Sequence, residues 1–178
     1  MGDDRKLINA IRREGDEDAF RRLYRRHTPR LLAFSSRFLG FAVVDEAEDA
    51  VQETWIRACR GLDRFRGDAA FPTWLTGIAR NVCRDRLRRL ARERTEPIEN
   101  APPRCPAGAP LVRIDLERAV AALSAEEREA VLLHDMEGWK HREIAGELGI
   151  TEGTSRSRLS RARARIRSLL RDEEGEER

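Results

Sequence analysis

Cysteine is scarce and poorly placed for chemistry. Cys59, Cys83 and Cys105 form no CxxC pair, which excludes a local zinc motif or a disulfide framework as the basis of the fold; free thiols fit a reducing compartment. No apolar run approaches the ~18 residues that cross a membrane, and residues 1–13 lack the apolar centre of a secretory signal. The expectation is a soluble, cytoplasmic chain with no membrane contact of its own. Aromatic residues make up only 6% and β-branched runs are few, so strand signals are weak and helical periodicity dominates. No HExxH, P-loop or nucleophile motif is present. The chain is therefore expected not to be an enzyme and to need neither cofactor nor metal. Lysine is nearly absent (Lys6, Lys140), so almost all positive charge is arginine.

What the chain does have is charge in blocks. With 38% charged residues and a net charge of only +3, position matters more than the sum. Acid concentrates at residues 45–53 and in the tail 172–177. Base concentrates on two helices. The first spans about 74–90 and carries Arg80, Arg84, Arg86, Arg88 and Arg89; the second spans about 152–171 and carries Arg156, Arg158, Arg161, Arg163, Arg165, Arg167 and Arg171. Between them Pro97, Pro102, Pro103, Pro106 and Pro110 remove donors and hold the backbone extended. The expected organisation is all-α, with two small helical domains, 1–92 and 113–178, joined by a linker over 93–112. Fully extended, ~20 residues reach ~66 Å, more than one ~34 Å turn of DNA. Two cationic helices on one chain suit a polyanion gripped at two places.

The N-terminal half predicts a helix over 18–27 that Pro29 interrupts or re-enters, an apolar helix over 30–41, and a third over 44–62. The third carries Ala47, Val51, Trp55, Ala58 and Leu62 on one stripe and Glu46, Asp49, Gln52 and Glu53 opposite. A loop, 63–70, precedes the first arginine helix. On that helix Trp74, Leu75, Ile78, Ala79 and Val82 share one face, and Gly77, Arg80, Asn81, Arg84 and Arg88 another. Asn81 adds a donor and an acceptor to a face of cations. Phe65, beside Arg66 and Gly67, suits either stacking on an unpaired base or packing in the core.

In the C-terminal half, helices are expected at 114–123, 128–136, 139–148 and 152–170, with Ser124 and Glu127 forming a capping box. Residues 141–154 have the pattern of a helix-turn-helix. Ala145 is small where two helices touch, Gly149 tolerates positive φ at the turn, and Thr151 can cap the next helix. On that helix Ser155, Leu159, Ala162, Ile166 and Leu169 point inward, while Arg156, Ser157, Ser160 and Arg161 face out near the end that reaches base edges. Arg158, Arg163 and Arg165 lie on the flanks, where they suit phosphates. The tail from Asp172 onward is expected to lie beyond ordered structure.

Residues 47–55 (AEDAVQETW), 65–75 (FRGDAAFPTWL) and 78–81 (IARN), followed by 153–163 (GTSRSRLSRAR), resemble regions 2 and 4 of extracytoplasmic-function sigma factors. The resemblance covers about 16–92 and 115–170. It implies that Asp49, Gln52 and Glu53 bind core RNA polymerase. It implies that Phe65, Arg66, Gly67, Asp68, Ala69, Ile78 and Asn81 hold a flipped base of the −10 element, with Arg80 and Arg84 on nearby backbone. Arg156, Ser157, Ser160 and Arg161 would read the −35 element of promoter DNA, and an anti-sigma factor would be a further partner. Ser155 departs from the family's usual Val. Ser160 lies at a position that varies among members, so the −35 preference does not carry over.

Two other classes compete. A regulator with the same helix-turn-helix would bind duplex only, which leaves Asp49, Gln52, Glu53 and Phe65 without a role. An enzyme would use the Asp49–Glu53 carboxylate pair on a metal with His134, His141 or Cys83 nearby, but acid on a helix is far more often a solvated or partner-binding face.

Overall fold

The computed structural model describes residues 2–40, 44–93 and 111–176. Among them the chain is helical, with no strand: α1 (Gly2–Glu14), α2 (Glu17–Leu39), α3 (Val44–Gly61), α4 (Phe71–Glu93), α5 (Leu111–Ala121), α6 (Ala125–Val131), α7 (His141–Leu148) and α8 (Glu152–Glu176). A 3-10 turn, Leu62–Arg64, follows α3. The chain divides into two compact units, one built on α1–α4 and the other on α5–α8. The expected linker and Cys105 fall almost wholly on residues 94–110, outside the described residues.

The first unit is organised by α2. Leu23, His27, Leu31, Phe34 and Phe38 recur every three or four residues and are all buried, which is one continuous helical stripe. That stripe explains why Pro29, expected to interrupt the helix, instead lies inside it, on its exposed side. A proline removes one backbone bond and crowds the preceding turn; burial on both sides of it holds the helix through. α3 and α4 pack on α2 and on each other, burying Ala47, Ala50, Val51, Ala58, Leu75, Ala79 and Val82. Cys83 is also buried there, and desolvation pushes its thiol up to about 11, so it is an inert apolar filler at neutral pH.

α1 is a helix that the sequence reading left unassigned. Leu7 and Ile8 are buried and α1 packs on α2. Arg26 bridges Asp3 and Asp4, and the His27 ring lies 3.1 Å from Asp4. Gly15 closes the α1–α2 turn at φ +63°, and Asp16 caps α2 by accepting from the Ala19 N–H at 2.9 Å.

The second unit has a core of Leu123, Ala130, Val131, Leu159 and Ala162, with Ile166 against it. The Ser124–Glu127 capping box forms as expected. Arg128 donates to the carbonyls of Val120, Ala121 and Leu123 at the end of α5, where cationic charge offsets the helix dipole. α6 does not run on as a plain helix to Met136. Residues Leu132–Met136 form a π-turn, closed by the Glu137 N–H to the Leu132 carbonyl at 3.0 Å. α8 runs to Glu176, so the acidic tail expected beyond ordered structure continues the helix.

Burial lowers the His27 pKa below its usual 6.5, against the pull of Asp4 and with help from Arg26 and Arg30. A depressed folded pKa gives stability that is present above 6.5 and lost as pH falls below it, because the unfolded chain takes up the proton first. Stability to denaturant should therefore fall with acidification below that point. His27→Gln should flatten the slope by up to about 1.4 kcal/mol per pH unit. An unchanged slope in the variant would remove His27 as its source.

Candidate nucleic-acid interface

The loop before α4 is shaped by its own residues and by α1. Gly67 sits at φ +81°, a conformation that a side chain makes costly. Phe65 is half-buried: its ring meets Phe71 edge-on at 5.7 Å and lies tilted on Trp74 at 5.0 Å. Of the two alternatives left open for Phe65, packing in an aromatic cluster is what the ring does; the residue is also among those that line a cavity. That cavity, of about 600 Å3, lies between the loop 65–72 and one face of α1, from Asp4 to Arg12. Arg66 and Asp68 form an exposed pair at 3.2 Å, and Ala69 is exposed beside them.

α4 carries the remaining residues expected at this site, and one is not where the helical wheel put it. Arg80 is only 2% exposed, so it lies in the unit rather than on an open cationic face; Gly77 is buried too. The Arg80 guanidinium donates to the Asn81 side-chain oxygen at 3.0 Å, which orients the exposed Asn81 amide. Ile78 and Arg84 are half-buried.

The acidic side of α3 does not stand alone either. Glu46 accepts from Arg86 at 2.5 Å and from Arg89 at 3.2 Å. Glu53 pairs with Arg57, which also reaches Asp85 of α4 at 3.3 Å. Arg86 and Arg89 are thus spent on α3 rather than on an outer basic face. Asp49, 3.5 Å from Arg86 but 61% exposed, and the exposed Gln52 remain presented outward.

On the second unit, α7 ends at Gly149, φ +65° and ψ +34°, whose N–H returns to the Ala145 carbonyl as in an αL helix cap, and the Ile150 N–H reaches the same carbonyl at 3.1 Å. Thr151 caps α8 through the Thr154 N–H at 3.1 Å. The inward stripe is as expected, with Ser155, Leu159 and Ala162 buried. The Ser155 hydroxyl lies 3.0 Å from Nδ1 of His141, and His141 stacks on His134 at 4.7 Å. This polar corner stands at the position where the resemblance would have placed Val. Desolvation and the neighbouring His134 hold the His141 pKa below its usual value.

The arginines of α8 fall into two groups. Arg158, only 15% exposed, pairs with Glu126 of α6 at 2.9 Å. Arg163 grips both oxygens of Asp135, at 3.0 and 2.6 Å. Partial burial alone would raise the Asp135 pKa; the hydrogen bonds from Arg163 and His134 outweigh it and hold the carboxyl below its usual range. Both arginines, expected to face phosphates, tie α8 to the body of the unit. Arg156 pairs with Glu152 one turn away on the same helix. Ser157, Ser160 and Arg161 face solvent.

This arrangement matches known proteins in both units. Residues 23–93 match Sigma-70 region 2 and residues 113–166 match Sigma-70 region 4. The chain is 41% identical over 160 residues to the ECF RNA polymerase sigma factor SigM of Mycobacterium tuberculosis, covering 88% of this chain and 79% of that protein. It is 35% identical to the RNA polymerase sigma factor CarQ of Myxococcus xanthus, covering 89% and 92%. The chain belongs to the extracytoplasmic-function sigma factors. It directs promoter-specific transcription initiation with core RNA polymerase. Its structure is similar to that of the sigma factor RpoE in complex with the anti-sigma factor NepR from Bartonella quintana, with a TM-score of 0.70 and 31% identity over 85% of this chain and 96% of that one. It is also similar to CnrH in complex with the cytosolic domain of CnrY, with a TM-score of 0.64 and 31% identity over 96% and 98%.

In this sigma factor the contribution of α1 to the loop cavity was missed from sequence. The signal was present: Leu7, Ile8 and Ile11 recur at helical spacing, with Asp3 and Asp4 in the first turn and Arg12 and Arg13 in the last. For the helix-turn-helix, Thr151→Ala should remove the α8 cap and cost about 1 kcal/mol in denaturant unfolding; an unchanged midpoint would show that the cap is not carried by this hydroxyl.

Proposed function

We propose that the first unit of this sigma factor captures an opened −10 strand and the second reads the −35 element as duplex. The observation that carries this reading is the cavity between α1 and the loop 65–72, because a protein that bound duplex alone would have no use for it. Phe65, Arg66, Gly67, Asp68 and Ala69, which line the cavity, receive the flipped base, with Ile78 on α4 as a further contact and Arg84 on nearby backbone. Asn81 hydrogen-bonds the strand. Arg80, buried and donating to Asn81, acts by orienting that amide. Opening DNA costs about 1.4 kcal/mol per stacking step, and one captured base returns about 1–3 kcal/mol through stacking.

On α8, Arg156, Ser157, Ser160 and Arg161 read the −35 bases. Arg158 and Arg163 hold the helix at its working angle through Glu126 and Asp135. Asp49, Gln52 and Glu53 bind the polymerase. An acidic face on a protein that binds DNA is repelled by phosphate and needs a basic protein partner, and the exposure of Asp49 and Gln52 supports that use. The working domains are 1–92 and 113–178, with 93–112 as the linker between them. The chain is a binding factor rather than an enzyme, since the bond-making step of transcription belongs to the polymerase, and it works in the bacterial cytoplasm. The complex of the similar RpoE with NepR supports an anti-sigma factor as its regulator.

Run-off transcription with purified core polymerase over a genomic promoter library tests this. Wild type should initiate from a selected set. Asn81→Ala should lose open complexes more than closed ones. Arg161→Ala should lose about 1–3 kcal/mol of discrimination at one −35 base pair. A chain that starts no transcript with core on any promoter would sink the reading.

A further inference from the structure

The carbonyls of the strand-capture loop are held from outside the loop. Arg12, near the C-terminal end of α1, donates through Nε to the Leu62 carbonyl at 2.9 Å, and its terminal nitrogen reaches both that carbonyl and the Phe65 carbonyl. The Leu62 carbonyl also accepts from the Phe65 N–H at 3.1 Å. One planar cation therefore closes the 3-10 turn across Leu62–Phe65. It does so at the point where the chain changes from helix to an extended residue, with Phe65 at φ −69° and ψ 105°. The guanidinium fork suits this task because its donors are fixed in one plane. A bond from a charged donor is stronger than one between neutral groups.

The same side chain lines the cavity. Asp4, Arg5, Ile8, Asn9 and Arg12 fall on one face of α1 at helical spacing. α1 in turn is seated on α2 through Leu7, Ile8 and the Asp3–Asp4–Arg26 bridges. The wall of the cavity and the anchor of its loop are thus one rigid element.

We propose that Arg12 is a positioning residue for −10 capture: by bridging the Leu62 and Phe65 carbonyls it holds the loop, and Phe65 with it, in place against the α1 face of the cavity. The proposal rests on the reading that this loop receives the flipped base. Without the bridge, Phe65 keeps its aromatic neighbours but its backbone is free to turn, and the cavity loses its set width. Loss of pre-organisation then appears as weaker binding of the unpaired base, because the loop has to be ordered at the moment of capture.

The test uses the full chain with core polymerase, on a promoter that gives run-off product. Single-stranded oligonucleotides covering the −10 region are compared, each with one base replaced by an abasic site. Wild type should bind the intact strand about 5- to 150-fold more tightly than one abasic form, the range spanned by one stacked base. Arg12→Met should bring that ratio close to one while binding of core polymerase and of −35 duplex stays within about twofold. Arg12→Lys keeps the charge and the methylene stem but lacks the planar fork. It should melt at the wild-type temperature and retain only part of the ratio. A full wild-type ratio in Arg12→Lys or in a folded Arg12→Met overturns the role of Arg12 and leaves the capture site standing. A wild type indifferent to every abasic position overturns the capture site and the role of Arg12 together.

Discussion

The seam between α3 and α4 is the constraint on which the first unit depends. Many of the buried residues of these two helices are small or thin: Ala47, Ala50, Thr54 and Ala58 on α3, and Ala79, Val82 and Cys83 on α4. Small residues let two helices approach closely. Close approach then brings an acidic helix edge and a basic one into contact, so Arg86 and Arg89 converge on Glu46 while Arg57 bridges Glu53 and Asp85. The exposed members of this ladder contribute little, since surface ion pairs are commonly worth under about 1 kcal/mol. The half-buried Arg86–Glu46 pair is better shielded from solvent. Apolar burial carries the stability of the seam, and the ion pairs set its register.

The same division between structural and presented charge recurs on α8. Arg158 and Arg163 face Glu126 and Asp135, which fixes the rotation of the helix and turns Ser157, Ser160 and Arg161 outward. The π-turn at Leu132–Met136 makes this possible, because the extra residue in the turn swings Asp135 toward Arg163 and His134 toward His141. In both units the charged residues left facing solvent have neighbours in sequence that pair with partners on another helix.

Much of this was legible in the chain. The helical class followed from periodicity and scarce β-branched runs. The Ser124–Glu127 box, the Gly149 turn, the Thr151 cap and the inward stripe of α8 followed from short-range rules in which a residue and its partner lie within four positions. The loop 63–70 was legible as the break between two helical stripes, which is local as well. Where the reading erred, the deciding partner was remote. Pro29 marks a boundary by local rules, yet burial of Leu23, His27, Leu31 and Phe34 carries the helix past it. A helical wheel placed Arg80 outside because it knows one helix and not the two packed on it.

The sequence by itself determined most of the helices, the caps of α6 and α8, the order of the two sigma regions and which charged residues each helix carries, because these depend on spacing along one helix or one turn. Tertiary structure decided which of those residues remain available. It buried Arg80, committed Arg86 and Arg89 to α3 and Arg158 and Arg163 to α6 and its π-turn, and brought α1 against the loop so that Arg12 meets carbonyls fifty residues away. A charge on a helix wheel has no partner until another helix packs beside it, and charges cancel or persist according to that packing.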